Sequence, residues 1–196
     1  MNGEGTKGTD DNDQSRAVAS DSPRSSSPPH QRSSVPISVP SSPGLTVWVD
    51  GDACPVKADI VRVCKRYGLV PRFVSNKVTV SDAGRKDLEA ITVPGGIDVA
   101  DDYIVERLKP GDVVLTGDIP LASRAIKASG HALDFRGRWF TERNIGDLMA
   151  GRELNRFLRD RGELFDGPRS PSSADRTLFL REFNNFLDRA VRRRPS

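Results

Sequence analysis

Past residue 44, apolar positions follow two alternating rhythms. Residues 45–49 are a compact apolar run that stops at Asp50, the pattern of a buried strand. Pro55 then stands where a first helical turn begins, and Val56, Ile60, Val63, Cys64 and Tyr67 recur at helical spacing until Gly68 closes the element. A second strand is predicted over 70–74, a polar loop over 75–87, and a third strand over 88–93, ending at Pro94-Gly95-Gly96. Ile97, Ala100, Ile104 and Leu108 share one face of the next helix. A strand over 112–116, a helix over about 120–128 and a short fifth strand over 131–133 follow. Beyond Trp139 the pattern is helical only. One helix runs over about 141–161, and another, after Gly167-Pro168, carries Phe179, Phe183, Phe186 and Ala190 as a stripe that docks onto the core.

Strands alternating with helices predict an α/β domain: a three-layer parallel sheet of about five strands, helices on both faces, and additional C-terminal helices. Residues 1–43 read differently. They hold no aromatic residue, four large aliphatics (Val18, Val35, Ile37, Val39) and abundant Ser and Pro, too little apolar surface to offset ordering entropy. A disordered tail over 1–43 and a single domain over 44–191 are expected. No run of 18 apolar residues suggests a membrane span. Cys54 and Cys64 form no CxxC pair, and no targeting segment is apparent, so a reducing, cytoplasmic setting is expected.

Charge changes the picture in one place. The chain carries 30 basic and 27 acidic residues, and the excess is C-terminal: residues 136–196 hold 14 Arg against 9 acids. Arginine forks onto phosphate oxygens, so RNA or another phosphate-bearing polyanion is a candidate partner; a solvated helix surface is the alternative.

The candidate chemistry lies at the strand ends. In open α/β sheets ligands bind there, near the switch in strand order. The first strand ends in Asp50-Gly51-Asp52, the fourth in Thr116-Gly117-Asp118, and Asp98, Asp101 and Asp102 open the helix after the third. The i, i+3, i+4 spacing predicts that these last three share a helix face, where their repulsion invites a hard cation, Mg²⁺ or Mn²⁺. Capping competes with this reading: Asp98 with Asp101 suits a capping arrangement, and Asp118 before Pro120 suits an N-cap. Asp50 and Asp102 are less well explained by capping. Asp52 reads as a cap or a supporting group, Asp101 as a capping partner or a group supporting the ligands or substrate, Ser75 and Asn76 as substrate contacts or a plain turn, and Asp134 as a turn residue. Cys54 and His131 lack any local signature of a nucleophile and base. Asp50-Gly51-Asp52 is similar to the nucleophile motif of haloacid-dehalogenase-type phosphatases, in which Asp50 would attack phosphorus and Asp52 act as acid or base. Ala122, however, stands where a second late carboxylate would help.

The string Val47-Trp48-Val49-Asp50-Gly51-Asp52-Ala53-Cys54-Pro55 closely resembles the opening of the bacterial YaiI/YqxD family. Gly96-Ile97-Asp98-Val99-Ala100-Asp101, Thr116-Gly117-Asp118-Ile119-Pro120-Leu121-Ala122, Arg136-Gly137 and the Gly167-Pro168 segment extend the match over about 45–190. The motif order is in turn similar to that of PIN-like and NYN-type nuclease domains, which usually cut RNA. That resemblance implies a PIN-like domain in which Asp50, Asp98, Asp102 and Asp118 bind metal, Asp50 and Asp118 being catalytic. It departs from NYN domains, which often carry an Asn shortly after the first Asp. The expectation is a divalent-metal-dependent phosphodiester hydrolase. A phosphatase using Asp50, or a non-catalytic nucleic-acid or nucleotide-binding module, is the alternative.

Overall fold

The structure, a computed structural model, describes residues 44–52, 54–77, 82, 84–163 and 170–192. The tail expected over 1–43 and the Gly167-Pro168 break lie outside the described residues. The elements are β1 (Val47–Asp50), α1 (Lys57–Arg66), β2 (Arg72–Ser75), β3 (Glu89–Thr92), α2 (Val99–Arg107), β4 (Val113–Leu115), α3 (Ile119–Lys127), β5 (His131–Leu133), β6 (Trp139–Phe140), α4 (Glu142–Asp160) and α5 (Ser173–Arg192).

The strands form one sheet in the order β3-β2-β1-β4-β5-β6. Every neighbouring pair is parallel except β5 and β6, which run antiparallel. Successive strand side chains point to opposite faces, and β1 shows the result directly. Val47 and Val49 join Ile60, Val63, Phe73, Phe179, Phe183 and Leu187 on the face covered by α1 and α5. Trp48, between them, joins Ile104, Leu121, Ala122 and Ala125 on the face covered by α2 and α3. Helix α4 lies against α3 and buries no residue fully. This is the expected α/β fold with helices on both faces. Among the described residues no helix is long and apolar enough to cross a membrane.

The expectation of helices alone after Trp139 needs correction, because Trp139 and Phe140 pair with Leu133 and Ala132 as a sixth strand. A tight turn makes it possible. The buried Asp134 carboxylate accepts the backbone amides of Arg136 (2.8 Å) and Arg138 (2.7 Å), and Gly137 turns at φ +83°. Gly137 is also a point of close approach by α5, since a Cβ there would lie 2.5 Å from the Phe179 nitrogen. The Phe stripe carries the apolar part of the docking together with Leu187: Phe179 and Phe183 are fully buried and stacked at 5.6 Å, and Arg176 adds an ion pair to the buried Asp59.

The chain builds β1, β2 and β3 outward on one side, then crosses back to place β4 beside β1. The carboxyl ends of β1 and β4 are therefore the switch point of the sheet, where the covering connections diverge and a crevice opens.

Candidate functional site

Asp50 occupies the end of β1 at that switch point. Its backbone neighbour Gly51 donates to the Val74 carbonyl at 2.8 Å, and a Cβ on Gly51 would meet that oxygen at 3.0 Å and the Ser75 Cβ at 3.3 Å. The Asp-Gly pair thus carries the chain closely past the end of β2. Just past β4, Thr116 donates its hydroxyl to Asp50 Oδ2 at 2.9 Å, and the Thr116 hydroxyl oxygen in turn accepts the Asp118 backbone amide at 2.9 Å. Burial pushes the Asp50 carboxyl above its ordinary range. The Thr116 hydrogen bond and the Asp52 amide oppose this, while the Asp52 and Asp118 charges add to it.

Asp101 is the second perturbed carboxyl. Burial, followed by the charges of Asp118, Asp50 and Asp98, pushes it up to about 6, against a smaller opposing pull from Arg124. Asp101 thus feels the charges of Asp118, Asp50 and Asp98, and Asp50 those of Asp52 and Asp118, at one edge of the sheet.

Asp102 sits differently. It forms an ion pair with Arg124 of α3 at 2.6 Å. Consecutive helical residues point about 100° apart, and the helix begins later than the carboxylate spacing suggested. Asp98 lies outside α2 in the left-handed region (φ 61°), with its carbonyl accepting the Asp102 amide at 2.8 Å. The three acids therefore do not form one helical stripe. Asp101 faces the charges of Asp118, Asp50 and Asp98 with Arg124 opposing them, whereas Asp102 pairs directly with Arg124.

Neither Asp98 nor Asp118 caps its helix with its side chain. Capping does not explain these two carboxylates, although both stand at N-cap positions. Asp118 instead pairs with Arg152 of α4 at 2.8 Å. Asp52 accepts the Asn76 backbone amide at 3.3 Å, so it braces the start of the loop after β2, and the Ser75 hydroxyl donates to the Lys77 carbonyl at 2.8 Å. Ser75 and Asn76 thus form a turn tied to the strand-end motif.

Oxygen-only donors suit a hard cation such as Mg²⁺ or Mn²⁺, which is commonly held by one or two carboxylates with water and substrate phosphate. Among the described residues, no three His, Cys, Asp or Glu side chains are grouped so that they could hold a metal ion. Two of the acids at this edge, Asp102 and Asp118, are engaged by arginines. The oxygen donors are of the kind a hard cation takes, but the described side chains are not grouped to hold one.

Cys54 and His131 form no catalytic pair. Burial pushes the Cys54 thiol up to about 11, far from a thiolate at neutral pH. His131 begins β5 at the opposite edge and rests against the Phe186 ring at 5.0 Å. Two contributors were not anticipated from the sequence. Thr116 stood inside a quoted motif, where a hydroxyl two residues before Asp118 was the available signal. Arg152 lies 34 residues from its partner and carries no local signal at all.

A family model described as uncharacterized BCR, YaiI/YqxD family matches residues 48–189. The UPF0178 protein of Parvibaculum lavamentivorans is 45% identical over 149 residues, covering 76% of this chain and 97% of its own. That of Caulobacter sp. strain K31 is 44% identical over 149 residues, with 74% and 96% covered, and that of Rhodopseudomonas palustris strain HaA2 is 43% identical over 150 residues, with 76% and 91% covered. No solved structure matches the chain significantly. Every strand-end carboxylate described above falls inside the matched region, and the chain belongs to the YaiI/YqxD family.

Proposed function

We propose that the protein is a divalent-metal-dependent phosphodiester hydrolase of PIN-like type, with RNA as its substrate. The observation that carries this reading is the gathering of acids at the switch point: Asp50 ends β1, Asp118 follows β4, and Asp50 and Asp101 are both pushed toward the protonated form by burial and, to a lesser degree, by neighbouring carboxylates. A fold has little structural use for such a cluster, whereas a cation-binding site needs it. Asp50 and Asp118 would hold Mg²⁺ or Mn²⁺, with Asp98 and Asp101 beside them and Asp102 kept on Arg124.

A bound cation would polarise the phosphoryl group and lower the pKa of the attacking water. The remaining work falls to the chain. Thr116 orients Asp50 by donating to Oδ2, which ties the end of β4 to the end of β1, and by accepting the Asp118 amide it holds the turn that leads into α3. Asp52 holds the start of the loop after β2, which borders the crevice. The arginine excess of residues 136–196 supplies countercharge to the polyanion.

The test is incubation of the purified protein with Mn²⁺ or Mg²⁺ and labelled RNA, DNA and phosphomonoesters, beside Asp50→Asn. RNA cleavage that requires metal and is lost in Asp50→Asn supports the proposal. A phosphoryl group trapped on Asp50 would indicate the phosphatase chemistry instead, and binding without turnover a non-catalytic module.

A further inference from the structure

Among the described residues, the exposed large hydrophobics are Ile97, Met149, Leu154 and Phe157, and the last three belong to α4. Leu154 and Phe157 are 58% and 55% exposed. The first half of α4 is docked: Ile145 and Leu148 pack against the cluster covered by α2 and α3, and Arg152 reaches Asp118 from the same side of the helix. At about 100° per residue, Leu154 and Phe157 point the other way, off the body of the domain. Met149 lies off their line.

The outward stripe is ordered about Leu154. Positions three and four residues away share its face: Ala150 and Gly151 toward the N-terminus, Phe157 and Leu158 toward the C-terminus. Seven residues away stand Asp147 at one end and Arg161 at the other, both exposed. The two halves are therefore complements, with small residues and an acid before Leu154, and large apolar residues and a base after it. A Cβ on Gly151 would meet nothing within 4 Å, so the space over the small half is open. Arg161 lies over the Phe157 ring at 5.3 Å and gives its Nε to Glu163, and its planar fork carries further N–H donors beyond that bond.

We infer that α4 is a self-association surface: two copies of this chain pair α4 against α4, antiparallel, about a twofold axis at Leu154. In such an isologous contact each residue meets the position equally far from the axis on the other side. Gly151 then faces the partner's Phe157, Ala150 the partner's Leu158, and Asp147 the partner's Arg161, each contact occurring twice. Large side chains enter the space over small ones, as knobs enter holes, and both ends close on opposite charges. A parallel pairing would instead set acid against acid and base against base. The stripe spans about 21 Å of helix. Alone it buries less than the roughly 800 Å² per partner of a standard interface, so the dimer is expected to be weak, with a dissociation constant of about 10–100 µM. The inference does not depend on the chemistry of the carboxylate edge, because Arg152 and Asp118 lie on the other side of α4.

Sedimentation velocity of the full chain over roughly 1–500 µM reads the association directly. Leu154→Glu puts two carboxylates face to face on the axis and should leave the protein monomeric throughout. Asp147→Lys and Arg161→Glu each set like charges together at both ends of the stripe and should each weaken association about tenfold. The double variant exchanges the charges and should return to within about twofold of wild type. All three positions are exposed, so melts at low concentration should match wild type and show each variant folded. A wild type still monomeric at about 500 µM overturns the inference, the stripe then being covered from within the chain or by a different protein. A dimer that Leu154→Glu leaves unchanged overturns this surface. A dimer weakened by both single charge changes and not restored by the double variant overturns the antiparallel register.

Discussion

The Thr116 hydroxyl donates to the Asp50 carboxylate at 2.9 Å, joining the end of β4 to the end of β1 at the point where the sheet changes direction. The residue is fully buried, so replacing it leaves a carboxylate without its only side-chain donor among the described residues. Thr116→Val should cost roughly 1–3 kcal/mol in urea unfolding. Because the hydroxyl favours ionised Asp50, the cost should be larger at pH 8 than at pH 4. A cost independent of pH would mean that the hydroxyl serves the Asp118 amide alone.

Asp101 gives a pH signature of definite sign. Its folded-state pKa of about 6 lies above the ordinary aspartate value, so the folded protein holds a proton that the unfolded chain releases. That contribution to stability is complete below about pH 4 and is lost as pH rises through 6. In the metal-free protein, Asp101→Asn should therefore be neutral at pH 4 and stabilising by about 1 kcal/mol at pH 7.5, a figure discounted for the group's partial contact with solvent. Denaturant midpoints of both proteins across this range check the prediction. Destabilisation at pH 7.5 would show that Asp101 makes a favourable contact as an anion.

Helix α5 should be integral to the domain. Phe183 is fully buried and stacked on Phe179, and Phe183→Ala should cost roughly 3–5 kcal/mol. Gly137→Ala should also destabilise, because its Cβ would strike the α5 backbone from a left-handed conformation. Thermal melts that left both variants unchanged would mean that α5 does not depend on this docking.

The central glycines of α4 should respond in the opposite direction. Gly151→Ala meets no neighbour and should raise stability by roughly 0.5–1 kcal/mol through helix propensity. A loss in chemical denaturation would reveal packing at this position.

Much of the architecture was legible because it follows from periodicity. The Val47, Trp48, Val49 triplet was read as a buried strand, and it feeds both faces of the sheet. Of the stripe read as a docking face, Phe179 and Phe183 are fully buried and Phe186 and Ala190 half-buried, with Leu187 completing the face. Strand β6 was not legible, since two residues have no period and their pairing depends on the Asp134 turn. At the site, the strand-end motifs drew attention to the right edge, but the division of labour between Asp101 and Asp102 depended on where α2 begins. A left-handed Asp98 sets that phase, and no spacing rule specifies it. Arg152 was out of reach because an ion pair between two helices is a property of packing.

Thermal melting of the wild type with and without Mn²⁺, beside Asp50→Asn, Asp101→Asn and Asp118→Asn, tests the central claim without knowledge of a substrate. If the carboxylates at the β1 and β4 ends bind a cation, Mn²⁺ at a hundredfold excess over its dissociation constant should add about 2.7 kcal/mol to the wild type. The shift should be reduced in each variant. A wild-type melt unmoved by millimolar Mn²⁺, or a shift of equal size in all three variants, would contradict a cation site at this switch point.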